Sequence, residues 1–196
     1  MKHRGEKTGF VPGNEQASAR TAARKKRKKA AKCVLFRTMN VCMIAVIVVL
    51  LVCSFLFPLM LISGDSMEPG LNDGDLILLM RTHRIAAGDL VSFRWNEKTL
   101  LKRVIACSGD WVIVDKAGRV YVNGALLDEP YVSQFSFGES DVSYPLQVPD
   151  DSYFVMGDER VSSLDSRNTL VGCVHDDQII GKSIMSIWKR PRTDGA

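Results

Sequence analysis

Val41–Ile62 reads VCMIAVIVVLLVCSFLFPLMLI, 22 residues without a charge. As a helix it extends about 33 Å, enough to cross a hydrocarbon core of about 30 Å. A helix apolar on every side offers no face to water, which argues against a core helix of a small soluble domain. A cleaved export signal has an apolar region of only about 7–15 residues, followed by a small-x-small cleavage site. Here the run passes directly into Ser63-Gly64-Asp65-Ser66. Pro58, late in the run, is tolerated in a membrane helix. The expectation is an uncleaved, single transmembrane helix over 41–62.

The flanks of that run are charged unequally. Residues 1–40 carry twelve of the chain's 26 Lys/Arg but only Glu6 and Glu15 of its 22 acidic residues. The segment is therefore +10 and the remainder −6, which the net +4 conceals. Six consecutive cations, Arg24–Lys29, precede the run, with Lys32 and Arg37 closer to it. A basic block can bind nucleic acid, but beside an apolar span it fixes topology. The reading is residues 1–40 as a cytoplasmic basic tail drawn to membrane lipid, and residues 63–196 on the extracytoplasmic face. Residues 1–20, polar and unpatterned, are expected to be disordered. Cys107 and Cys173 fall in the outer part, where oxidation is available, but spacing alone does not establish a bridge between them.

The outer 63–196 segment is predicted to be mainly β. Short β-rich runs cover Leu76–Met80, Asp89–Trp95, Leu100–Cys107, Trp111–Asp115, Arg119–Val122, Ser152–Met156 and Ile179–Trp188. Gly-Asp and Asn-Gly turn signals separate them, the pattern of a hairpin-built domain. Trp111–Gly124 reads as two strands around Lys116–Gly118, and Ser133–Pro149 as a long surface excursion.

Three stretches carry candidate chemistry. In Ser63–Leu71 (SGDSMEPGL), Ser66 sits among small residues and a proline, where a loop can aim a hydroxyl and a backbone N–H in one direction. Serine needs a base. His83 and His175 lie in no triad context and read as surface residues. Lys102, in LLKRVI, shares a strand face with Leu100 and Val104, with Arg103 on the other face. Burial lowers a lysine's pKa, as a general base requires; the alternative is a solvated edge-strand Lys-Arg pair. Gly157–Arg167 (GDERVSSLDSR) alternates acids and arginines, so mutual ion pairs are expected to rigidify it, and a serine held there can orient a neutral lysine.

Together these stretches resemble the bacterial type I signal peptidases, Ser/Lys endopeptidases that remove signal peptides from exported proteins. The likeness rests on SGDSMEPGL, GDLVSFR at Gly88–Arg94, KRVIACSGD at Lys102–Asp110 and GDERVSSLDSR, with VNGALLDEPYV at Val122–Val132, and covers about residues 40–190. It implies Ser66 as nucleophile, Lys102 as general base and Ser163 as the serine that hydrogen-bonds the lysine. Asp165 and Arg167, with Asp158 and Arg160, match the family's salt-bridged frame; Met67 and Pro69 match residues beside the nucleophile. The fold implied is a β-fold catalytic domain like that of signal peptidases and SOS-response repressors, behind one N-terminal transmembrane helix.

The same resemblance implies signal-peptide-bearing preproteins as substrates, with no cofactor, metal, nucleic acid or obligate oligomer. Departures are Ser108, where many members have Pro, Glu159 for Asn, Gly70 for Thr, and Gly64 for a serine that supplies an oxyanion hydroxyl in some members. The endoplasmic-reticulum branch carries His where Lys102 stands, so the chain reads as prokaryotic, nearer Gram-positive members. Non-catalytic relatives usually lack the serine or the lysine, whereas this chain keeps both. The SOS-response repressors lack a span and carry a DNA-binding domain.

Overall fold

The computed structural model describes residues 13–190. The chain divides into two compact units, Met1–Cys53 and Ser54–Ala196. The first is formed by helix α1 (Gly13–Leu56), whose last turn runs into the second. Within α1, Val34–Leu56 is long and apolar enough to cross a membrane, and none of it is buried inside the protein.

Two expectations change here. The expected disorder of residues 1–20 lies partly outside the described residues, and from Gly13 the chain is helical. That stretch is rich in Ala, Lys and Arg, all good helix formers. The apolar run 41–62 is also divided: the helix stops at Leu56, two residues before Pro58, and Leu59–Leu61 become a strand. Proline has no N–H to donate, and it disfavours helical geometry in the residue before it.

The second unit is two antiparallel sheets. Its strands are β1 (Leu59–Leu61), β2 (Leu76–Met80), β3 (Leu90–Trp95), β4 (Lys98–Cys107), β5 (Trp111–Val114), β6 (Val120–Val122), β7 (Ala125–Leu126), β8 (Leu146–Gln147), β9 (Ser152–Met156), β10 (Val174–His175) and β11 (Ile179–Trp188). One sheet has the order β1-β2-β11-β3-β4-β9-β10, the other β7-β6-β5-β8. The seven runs expected from sequence become β2, β3, β4, β5, β6, β9 and β11, and β5–β6 is the expected hairpin around Lys116–Gly118. The strands that sequence reading missed are three residues long or shorter and take their conformation from a neighbour. The excursion 133–149 supplies β8 and packs Phe137 and Tyr144 against the core, so it is only partly a surface feature.

Strand β4 organises the interior. It lies between β3 and β9, with Val91 opposite Lys102 and Met156 opposite Arg103. Leu101 joins the cluster of Ile62, Met67, Leu71, Ile77 and Leu79. Val104, flanked by Leu100, joins Val91, Phe93, Val155 and Val174. Ile105 and Ala106 join the core shared with the smaller sheet. Lys102 thus lies on a strand whose residues contribute to all three apolar clusters.

Candidate active site

Lys102 is 2% exposed. Burial, the largest influence, pulls its pKa down from 10.5 to about 8, against the attraction of Asp165, Asp158 and Glu159 and with the help of Arg167. Its Nζ donates to Ser163 Oγ at 2.9 Å. This is an interior strand, so the solvated edge-pair alternative does not hold.

Ser66 lies in the loop between β1 and β2. The loop is anchored at both ends: Met67 is buried, the Ile62 N–H donates to Asp75 C=O, and the Leu71 N–H donates to Met67 C=O. Gly64 has φ +95°, a left-handed conformation that favours glycine, and its N–H donates to Asp73 Oδ1 at 2.9 Å. Ser66 is half-buried, and Pro69 is exposed.

Strand β9 ends at Met156, and the Gly157–Arg167 turn brings the two loops together. The Glu159 N–H donates to Ser66 C=O at 3.2 Å. A Cβ on Gly157 would overlap Ser163 Oγ and stand 2.7 Å from Ser66 O, so only glycine lets these groups approach. Lys102 bonds Ser163 rather than Ser66 in this resting arrangement.

The ionic frame differs from the expectation of pairs within one loop. Asp165 and Arg167 do pair, through Nε at 2.8 Å and Nη2 at 2.9 Å; Arg167 Nη1 also reaches the Ser136 and Phe137 carbonyls. Asp158, however, pairs with Arg103 (2.8 and 2.6 Å), and Arg160 with Glu129. Asp158 and Arg160 are two positions apart and aim into different elements. Arg103 also stacks over Tyr131, 4.0 Å from its ring centre, and Tyr131 Oη donates to Glu129. Arg160 Nε closes the network on Gly157 C=O.

Arg103, Glu129, Tyr131 and Gly157 were therefore missed as site supports. The signals were the Lys-Arg pair and Glu129-Pro130-Tyr131, neither of which names a partner 30 or more residues away. His83 bonds Asp176 and His175 bonds Asp177; neither touches the site. Cys107 and Cys173 are both free thiols. Burial pushes Cys173 up to about 11 and raises Cys107, so both resist thiolate formation.

A buried lysine whose pKa is lowered to about 8, against a serine turn that also grips a second serine's loop, is equipment for proton transfer and acyl chemistry. The model of the family described as signal peptidase, peptidase S26, matches residues 35–188. Signal peptidase I of Bacillus licheniformis is 36% identical over 162 residues, covering 76% of this chain and 86% of that relative. Signal peptidase I S of Bacillus subtilis (strain 168) is 37% identical over 152 residues, covering 71% and 82%. A crystal structure of a signal peptidase I from Enterococcus faecalis V583 aligns with a TM-score of 0.43 at 26% identity, over 52% of this chain and 98% of that one. With the family model spanning most of the chain and relatives this similar over most of their own length, the chain belongs to the signal peptidase family, peptidase S26, and is a serine peptidase.

Proposed function

We propose that this chain is a membrane-anchored signal peptidase that cleaves signal peptides from exported preproteins with Ser66 as nucleophile and Lys102 as general base. The observation that carries the reading is the burial of Lys102 with its Nζ on Ser163. With a pKa of about 8, roughly one amine in ten is neutral at pH 7, against fewer than about one in a thousand for a free lysine.

Lys102 Nζ takes the proton of Ser66 Oγ as that oxygen attacks the scissile carbonyl. The resting bond to Ser163 means that substrate binding must complete the Lys102–Ser66 contact, as is common for catalytic hydrogen bonds. The Ser66 N–H supplies one oxyanion donor. The collapsing intermediate expels the amine, which takes the proton from Lys102, and an acyl ester remains on Ser66. Lys102 then deprotonates a water that hydrolyses this ester, returning the proton to Ser66 Oγ. Ser163 holds the amine in line, and the Asp165–Arg167 and Asp158–Arg103 pairs hold Ser163 and the strand beneath it.

The apolar helix anchors the enzyme, with the basic tail cytoplasmic and the β domain outside. Anchoring enzyme and precursor in one bilayer raises their effective concentration. The test is cleavage of a secretory precursor by wild type, Ser66→Ala and Lys102→Ala protein. Both variants lose activity by about 10³-fold or more; retained activity in either would sink the dyad.

A further inference from the structure

Glu159 is joined to both halves of the site. Its N–H donates to the Ser66 carbonyl at 3.2 Å. Its carboxylate accepts from the Val161 N–H at 3.1 Å, the Ser162 N–H at 2.7 Å and the Ser162 hydroxyl at 2.6 Å. The next residue, Ser163, accepts from Lys102 Nζ. One half-buried side chain thus fixes the turn that carries Ser163, while its own backbone grips the loop that carries Ser66.

Its charge is also distinctive. The charged groups facing Lys102 are Asp165, Arg167, Asp158 and Glu159. Asp165 is paired with the Arg167 guanidinium and Asp158 with that of Arg103, yet both still act on the lysine more strongly than Glu159 does. The donors on Glu159 are two amides and a hydroxyl, all uncharged. Glu159 therefore adds a third carboxylate to the surroundings of Lys102, smaller in effect than Asp165 and Asp158, and its bonded partners carry no charge.

We propose that Glu159 is a positioning residue that locks the Ser163 turn to the Ser66 loop, and that its carboxylate, held on that turn, adds to the charge favouring the ammonium form of Lys102, so that this peptidase switches on at a somewhat higher pH than it would with a neutral residue there. The inference rests on Lys102 acting as the base. A negative charge nearby favours the ammonium, and a neutral amine is what attack by Ser66 requires.

The test is the pH profile of kcat/KM for the full-length protein in phospholipid vesicles, with a peptide substrate, for wild type, Glu159→Gln, Glu159→Ala and Glu97→Gln. Glu97 lies in the β3–β4 turn and controls for loss of a carboxylate as such. Wild type gives an acid limb near 8. Glu159→Gln keeps an acceptor oxygen and moves that limb down by about half a unit. The displacement from wild type shrinks in high salt, because the difference is one charge. Glu159→Ala moves the limb likewise and lowers the plateau kcat about tenfold, with KM little changed, because the turn loses its acceptor. Glu97→Gln leaves the limb in place.

A Gln variant whose limb stays within about 0.1 unit of wild type overturns the inference whatever its plateau, since a purely structural prop changes rate without changing the titration. An acid limb missing from the wild type overturns instead the assignment of Lys102 as base.

Discussion

Among single residues, Lys102, the proposed base, also has an energetic signature. Its folded-state pKa, about 8, lies below its ordinary 10.5. Between those values the unfolded chain binds a proton that the folded chain lacks, so this group's contribution to stability rises with pH across the window. Below about 8 the cost of burying the lysine is present in full. Lys102→Met is therefore expected to abolish activity yet stabilise the fold by about 1–3 kcal/mol at pH 7, the gain vanishing above about pH 10.5. Urea melts of both proteins at pH 7, 9 and 10.5 check this; a pH-independent difference would contradict it. Gly157 is the opposite case, with no titration and no freedom. Gly157→Ala pushes a methyl into Ser163 and the Ser66 carbonyl, costing about 1–3 kcal/mol and about 10²-fold in kcat. Thermal melting and kinetics on one preparation separate the two losses.

At the scale of elements, β4 was largely readable and its partners were not. The alternation of Leu100, Lys102 and Val104 puts the lysine on an apolar strand face; Val91 is its cross-strand partner, and Val91 and Val104 are both fully buried. The neighbouring turn was readable as ionic, but not as paired outward to Arg103 and Glu129. Alternation along a strand fixes which face a side chain takes; it cannot say which distant strand fills that face. Strand β1 shows the same limit, because apolar composition reads alike in a membrane helix and a three-residue strand. It is a strand because Pro58 ends the helix and β2 offers a free edge at Leu76–Leu78. The two faces of β2 are expected to differ sharply. Ile77→Ala, at a fully buried position, costs about 2–5 kcal/mol, whereas Leu76→Ala, half-exposed, costs less than about 1.5. Equal losses in chemical denaturation would show that the outer face is also covered.

At the scale of the whole molecule, the proposed division of labour gives chemistry to the unit from Ser54 onward and encounter with substrate to the helix before it. Deleting residues 1–53 is expected to leave hydrolysis of a short soluble peptide within about threefold. Cleavage of a precursor embedded in vesicles falls by about 10²-fold or more, the size of an effective-concentration gain. Comparing the two substrates with both proteins checks it, and equal losses on both would assign the helix a direct part in the site. The β domain also exposes Leu59 and Leu61 on β1 and Met185 and Trp188 on β11, the two strands that flank β2.

The apolar segment, the asymmetric charge around it, the mainly β character of the remainder and the chemical types at Ser66, Lys102 and Ser163 are all legible in the amino-acid sequence alone. These are properties of composition and short-range period, which the chain carries before it folds. Tertiary structure decided the rest. It stopped the helix at Leu56, left Cys107 and Cys173 unbridged, and paired Asp158 with Arg103 and Arg160 with Glu129. It also brought Gly157 and Glu159 against Ser66. Each of these depends on which distant segments are brought within a few ångströms, and that follows from how the sheets pair and pack as a whole.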